Sequence, residues 1–239
     1  MSEIRWQIYA DPAKTAAAAA DYIADSAARR LEQAPFFSLA LSGGSTPKLM
    51  LAALRELDVN WSRVLVFQVD ERVAPAADPA RNLHLVHDAL VATGVLPSEN
   101  FLPMPVETVA DSPDRAVQDY TTTLVESVGN PPVFDLIHLG LGDDGHTASL
   151  IPDRGEIERT DAEVMLTEPY QGLPRMTVSL PLINRAAQRL WLVTGAGKAA
   201  ALAQLQAGDA TIPAGRVCVP NSVVIADEAA AATVRELIA

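Results

Sequence analysis

The stretch VFDLIHLGLGDDGHTASLIP, residues 133–152, decides how this chain reads. Its first part, Phe134 to Leu141, is a short apolar run between Pro131–Pro132 and Gly142. It lacks a clean polar/apolar alternation, which predicts a strand buried on both faces of a parallel sheet. Gly142, Asp143, Asp144, Gly145, His146 and Thr147 follow: two glycines framing two carboxylates, then an imidazole. Ala148 to Ile151 is expected to begin a helical turn that Pro152 stops. Strand, polar turn and helix place reactive side chains at the carboxyl end of a parallel sheet, where open α/β proteins bind ligands. The glycines permit tight turns and close backbone approach. A histidine there titrates near neutrality, and a neighbouring carboxylate orients its ring.

Two further strand ends carry the same kind of signal. Phe36 to Leu41 is an apolar strand followed by Ser42-Gly43-Gly44-Ser45-Thr46-Pro47 and a helix over Lys48–Leu57. A glycine loop entering a helix start offers free N–H groups and the positive end of the helix dipole to an anion. The spacing matches neither the Walker loop nor GxGxxG. The bland reading is a tight turn with Thr46 as N-cap. Arg63 to Val69 is a third strand that ends in Asp70-Glu71-Arg72, three charges that are costly to bury unless they pair or meet a ligand. A later glycine turn, Gly195-Ala196-Gly197, puts Lys198 at a helix start, where a cation is disfavoured unless it is solvated or holds an anion.

The remaining segments fill in an α/β alternation. Arg5–Tyr9 reads as the first strand, and Asp11-Pro12 caps a helix running from Ala13 to Gln33. Helices are expected over Asn82–Thr93, Ser112–Val128 and Ala199–Gln206, with a terminal helix Glu228–Ile238 capped by Asp227. Strands are expected over Glu163–Glu168, Arg175–Leu180, Arg189–Thr194, Gly215–Val219 and Ser222–Ala226. Asp153–Asp161 is polar and reads as exposed. No repeat, linker or compositional break divides residues 1–239, which are expected to form one domain: a Rossmann-like, mainly parallel sheet flanked by helices, with additional strands.

Composition narrows the function. The net charge of −12 argues against nucleic acid and anionic membrane as partners, since both demand basic surfaces. A small anion is still accommodated where a few cations converge. The single cysteine, Cys218, sits in an apolar run and reads as a buried thiol rather than a nucleophile. One cysteine forms no internal disulfide, and no signal peptide or spanning segment is evident, so the expected location is the cytoplasm. His84 and His87 are spaced for a metal, but no third ligand accompanies them.

Taken together, LSGGSTP, VDER and GDDGHTASLIP resemble the 6-phosphogluconolactonase family, and the resemblance continues through PRMTVSLPLINRA and VTGAGKAAAL. The SGGSTP string alone is shared with sugar-phosphate isomerases and deaminases. The resemblance implies hydrolysis of a sugar phosphate lactone, 6-phosphogluconolactone, in the pentose phosphate pathway without metal or other cofactor, by a monomer or weak homodimer. It implies His146 as general base with Asp144 orienting it. It implies a phosphate site built from Gly43, Gly44, Ser45 and Thr46 with Arg175 and Lys198. Arg72 would be a further substrate contact and Asp70 a ligand of sugar hydroxyls. Asp143 falls at a position that varies in the family and is left aside. Backbone N–H groups of the Gly142–Gly145 turn are candidate oxyanion donors. The deaminase branch resembles GxGxDGHIAFNEP, with a carboxylate five residues after the histidine. Here that place is Ile151, and Arg72 replaces a tyrosine, so the deaminase alternative is the weaker one. A non-catalytic sugar-phosphate binding module is the other alternative.

Overall fold

The computed structural model describes residues 4–235. Seven parallel strands form its central sheet: β1 (Arg5–Tyr9), β2 (Phe37–Leu41), β3 (Val64–Gln68), β5 (Phe101–Leu102), β6 (Leu136–Leu139), β9 (Arg189–Val193) and β10 (Ser222–Asp227), in the order β1-β10-β9-β6-β2-β3-β5. Three antiparallel strands, β4 (Asp70–Arg72), β8 (Leu173–Val178) and β7 (Val164–Tyr170), make a second sheet in the order β4-β8-β7. The helices are α1 (Pro12–Leu31), α2 (Ser45–Leu54), α3 (Leu83–Val86), α4 (Pro113–Val128), α5 (Leu180–Arg185) and α6 (Ala199–Ala207).

The apolar strands lack polar alternation because both faces of the large sheet are covered. Along β9, Leu190 and Leu192 join one core with α1 and α2, while Trp191 and Val193 join the other with α4 and α6. Leu39 and Ala40 in β2 split the same way. Removing this apolar surface from water is the main stabilising term, at about 25 cal/mol per Å². The alanine run of α1 supplies a thin contact face, with Ala16, Ala19 and Ala20 fully buried. Asp11 caps the helix by accepting from Lys14 N at 2.8 Å.

Strand order places the site. From β2 the chain proceeds outward to β3 and β5, returns to β6 beside β2, and then moves the other way through β9 and β10. The direction reverses between β2 and β6, and ligands bind outside the carboxyl ends of strands at such a switch point. The turns that follow β2, β6 and β9 therefore lie side by side.

Several expectations are corrected. Asp70-Glu71-Arg72 does not extend the third strand. It forms β4 of the second sheet, paired with β8 through Asp70↔Thr177 and Arg72↔Arg175. Ala148–Ile151 does not coil: Ala148 has φ 52°, and Thr147 and Leu150 form an isolated bridge. Ser149 is drawn toward the small sheet instead, its N donating to Thr177 Oγ1 at 3.2 Å and its Oγ to Asp70 at 2.6 Å. The segment 82–93 is one α-turn followed by a π-turn, His87–Val91. No strand forms over 215–219. Asn184 occupies that backbone, its Oδ1 accepting from Cys218 N at 2.7 Å and its Nδ2 donating to Arg216 O at 3.3 Å. Cys218 is exposed rather than buried. Residues 228–234 form turns, with Asp227 accepting from Ala230 N at 2.7 Å, and the end of the expected terminal helix lies outside the described residues. Among the described residues, no helix is long and apolar enough to cross a membrane.

Candidate active site

The three turns enclose a cavity of about 250 Å³ against the second sheet. Gly43, Gly44, Ser45, Thr46, Asp70, Arg72, His146, Arg175 and Lys198 all line it. Asp144 stands behind His146. The residues singled out from three separate strand ends thus meet in one place.

The loop after β2 is anchored from below. Ser42 N donates to the Nδ1 of His138 at 3.3 Å, and Ser42 Oγ to His138 O at 3.0 Å. His138 is fully buried in β6, and burial pushes it down to about 4, so it is a neutral acceptor here rather than a cation. Helix α2 starts at Ser45, so its N-cap is Gly44, two residues before the Thr46 considered from sequence, and no side chain caps it. The N–H groups of its first turn lack intrahelical acceptors. Thr46 Oγ1 instead pairs with Thr194 Oγ1 at 2.8 Å, tying this loop to the turn after β9. Gly43 is required by close approach: a Cβ there would lie 1.8 Å from Asn82 Oδ1.

In the turn after β6, His146 Nδ1 lies 2.6 Å from Asp144 Oδ1, which also accepts from His146 N at 3.1 Å. Asp144 Oδ2 accepts from the Tyr170 hydroxyl at 3.2 Å. Partial burial raises the Asp144 carboxyl, but these donors together outweigh it and hold the group below its ordinary range. An ionised Asp144 on Nδ1 fixes the proton there and leaves Nε2 as the nitrogen free to take a proton. Gly142 gives the pair room, since a Cβ would fall 2.1 Å from His146 Nδ1. The expectation that this turn supplies oxyanion donors is corrected for two of its amides. Gly142 N donates to His146 O at 2.8 Å, and Gly145 N to Gly142 O at 3.1 Å.

The second sheet brings the cations. Arg72 and Arg175 are direct neighbours across the β4–β8 ladder. Like charges placed so are destabilising unless balanced. Burial lowers the Arg175 guanidinium, Asp70 opposes the shift from 3.8 Å, and Arg72 reinforces it. The Arg175 Nε is buried without an acceptor. Arg72 donates to Asn82 Oδ1, while Asn82 Nδ2 donates to Asp70 O at 2.9 Å. Beneath them the buried Glu71 carboxylate accepts from Arg72 N and Asn82 N, each at 2.7 Å, and faces Arg81 at 3.1 Å. Lys198 pairs with Asp143 at 2.5 Å, giving that aspartate a partner the sequence did not suggest.

Asn82, Ser149, Thr194 and Tyr170 were missed. Each lies in a segment whose composition is ordinary for a loop or hairpin; the second sheet brings in Asn82, Ser149 and Tyr170, and the Thr46 contact brings in Thr194. Neither His84 nor His87 lines the cavity. Among the described residues, no group of three His, Cys, Asp or Glu is gathered as a metal would need.

An imidazole with a fixed tautomer, set opposite helix-start amides and paired arginines, belongs to α/β enzymes that move protons on small anions. The chain is a member of the glucosamine-6-phosphate isomerase/6-phosphogluconolactonase family, whose model matches residues 10–226. It is 39% identical over 177 residues to a 6-phosphogluconolactonase from Synechocystis sp., covering 72% of each chain. The structure of a 6-phosphogluconolactonase from Trypanosoma brucei superposes with TM-score 0.84 at 27% identity, covering 97% of this chain and 99% of that one. A monomeric glucosamine-6-phosphate deaminase reaches TM-score 0.83 at 17% identity, a likeness of fold alone.

Proposed function

We propose that this cavity hydrolyses 6-phospho-D-glucono-1,5-lactone to 6-phospho-D-gluconate, the lactonase step of the oxidative pentose phosphate pathway. The observation that carries the reading is the 2.6 Å Asp144–His146 contact on a cavity wall shared with Arg72, Arg175 and the Gly43–Thr46 loop. A δ-lactone is an activated ester, so water needs only a base, and the departing ring oxygen only an acid. His146 Nε2 takes a proton from water as its oxygen attacks C1. The C1–O5 bond of the tetrahedral intermediate then breaks, and the same proton passes to the ring oxygen. Asp144 orients the ring and stabilises the transient imidazolium. Such assistance is worth about 10²–10⁴-fold in rate.

The phosphate is held by the first-turn amides and hydroxyls of Gly43–Thr46 with Arg175 and Lys198. A phosphate oxygen satisfies the orphaned Arg175 Nε and offsets the Arg72–Arg175 repulsion. Arg72 contacts substrate on the same side, and Asp70 accepts from sugar hydroxyls. Ile151, buried at the place where the deaminase branch carries a carboxylate, leaves amino-sugar chemistry without its acid. The protein is expected to act in the cytoplasm, as one domain of residues 1–239, and as a monomer or weak homodimer.

The test follows proton release from freshly prepared lactone against a no-enzyme blank, with native protein, His146→Ala and a chelator-treated sample in parallel. Native protein is expected to be fast, chelation harmless, and His146→Ala close to the blank. Native protein no faster than the blank overturns the lactonase reading. A folded, fully active His146→Ala overturns only the base.

A further inference from the structure

Tyr170 stands at the tip of the β7–β8 hairpin, far in sequence from every residue of the base. Its position is fixed by the connection itself. Gln171 and Gly172 both have positive φ, 54° and 88°, and Tyr170 pairs directly with Leu173. A two-residue link of that kind matches strand twist and holds the flanking residues in register. From there the Tyr170 hydroxyl reaches Asp144 Oδ2 at 3.2 Å, and its ring meets His146 edge-on with centroids 5.4 Å apart. The Arg175 guanidinium lies 5.1 Å from the centre of the same ring.

We propose that Tyr170 is a positioning residue of the lactonase, its hydroxyl fixing Asp144 behind His146 and its ring seating Arg175 for the substrate anion. The inference rests on the lactonase reading and on His146 as base. Of the two Asp144 carboxylate oxygens, Oδ1 serves His146, and without a donor on Oδ2 the carboxylate is free to turn about its own bond. The hydroxyl closes that freedom. The ring acts separately, giving a planar cation with an orphaned donor a flat surface to lie against.

Charged groups around the base come from three sides. Asp144 is on its own turn. Arg175, Arg72 and Asp70 come from the small sheet, with Arg154 5.8 Å from the Tyr170 ring centre. Lys198, paired with Asp143, comes from the turn after β9. None of these changes in Tyr170→Phe.

The experiment is steady-state lactone hydrolysis across pH with native protein, Tyr170→Phe, Tyr170→Ala, Asp144→Asn and the Tyr170→Phe/Asp144→Asn double variant. Tyr170→Phe is expected to lower kcat about tenfold, the scale of one hydrogen bond to a charged group, with KM within about twofold. Tyr170→Ala should add a rise in KM. In the Asp144→Asn background Tyr170→Phe should cost little, the non-additivity expected of residues acting through one another. A Tyr170→Phe enzyme with native kcat overturns the proposal, as does a full loss that persists in the Asp144→Asn background. His146→Ala in the same series separates the two readings: if it is active the base assignment falls, whereas a silent Tyr170→Phe beside an inactive His146→Ala removes Tyr170 alone.

Discussion

The large parallel sheet and the small antiparallel one contribute to the cavity in different ways. The first offers what lies beyond its strand ends: the Gly43–Thr46 loop, the Gly142–His146 turn and the turn carrying Lys198. These are backbone amides, two hydroxyls, one imidazole and one ammonium, set by glycines that allow close approach. The second offers side chains directly from its strands, Asp70, Arg72 and Arg175 on the cavity wall, with Tyr170 behind His146 and Arg175. A parallel sheet buried on both faces has no free face on which to display charge, so its chemistry collects at its edge. A small antiparallel sheet laid across that edge can present charged residues from within its strands. Chemistry is therefore expected to reside mainly on the large sheet's turns, with Tyr170 supporting it from the small sheet, and anion binding to be shared between those turns and the small sheet's arginines.

The largest effect tests the first half of that division. His146→Ala should lower kcat by about 10²–10⁴-fold while KM moves little. A variant that lost binding and kept kcat would reverse the assignment of roles.

The next tests how each sheet supports its part of the site. Under the large sheet's loop lies a neutral buried histidine, His138, whereas under β4 lies the buried Glu71–Arg81 ion pair. His138 has a folded value near about 4 against an ordinary 6.5. Between those values the unfolded chain binds a proton that the folded chain does not. Stability therefore falls as pH drops through that window and is unaffected above it, by up to about 3 kcal/mol. Denaturant unfolding between pH 7 and 4 measures this, and His138→Gln should flatten most of the slope. An unchanged slope would place the acid sensitivity elsewhere, with the small sheet's carboxylates the next place to look.

A smaller effect tests the second half of the division. Arg175→Gln should raise KM by about 10- to 100-fold and leave kcat within a few-fold, since a charge-assisted contact to phosphate is lost while the base is untouched. A comparable loss in kcat would mean that Arg175 itself does more than bind, and the Tyr170 stacking on Arg175 supplies the route.

The same contrast explains what was legible beforehand. The edge of the large sheet could be read because its signals are local: an apolar run, then glycines, then a hydroxyl, carboxylate or imidazole. His146, Asp144 and the Gly43–Thr46 loop were recognisable in that way. Arg175 came from family resemblance, because it has no local signature; Lys198 had one, a cation at a helix start after a glycine turn, but that left solvent and anion both open until the resemblance chose. The small sheet was illegible as a sheet. Its β4 is three charged residues that look like the frayed end of a strand, and its pairing with β8 spans a hundred residues of chain. Asn82 owes its place to β4, and Tyr170 to the β7–β8 turn whose target, Asp144, lies elsewhere in the chain, so nothing beside them in sequence marked their roles. Ala148–Ile151 failed for a related reason: its helix-like composition was overridden by the Ser149 bonds to Asp70 and Thr177.

Cys218 is the case with the smallest expected effect on activity, and it sharpens where the site ends. Its neighbours Val217 and Val219 suggested a buried strand, yet the Asn184 side chain takes the Cys218 and Arg216 backbone groups that a neighbouring strand would need. Val217 alone turns inward, and the thiol faces solvent. Cys218 is absent from the cavity wall. Native protein should therefore take up one equivalent of iodoacetamide without denaturant, and the labelled enzyme should keep its kcat and KM. Resistance to labelling would restore the buried strand that the sequence suggested. Labelling that abolished turnover would show that the segment between α6 and β10 reaches the substrate, and the division of work between the two sheets would then need a third contributor.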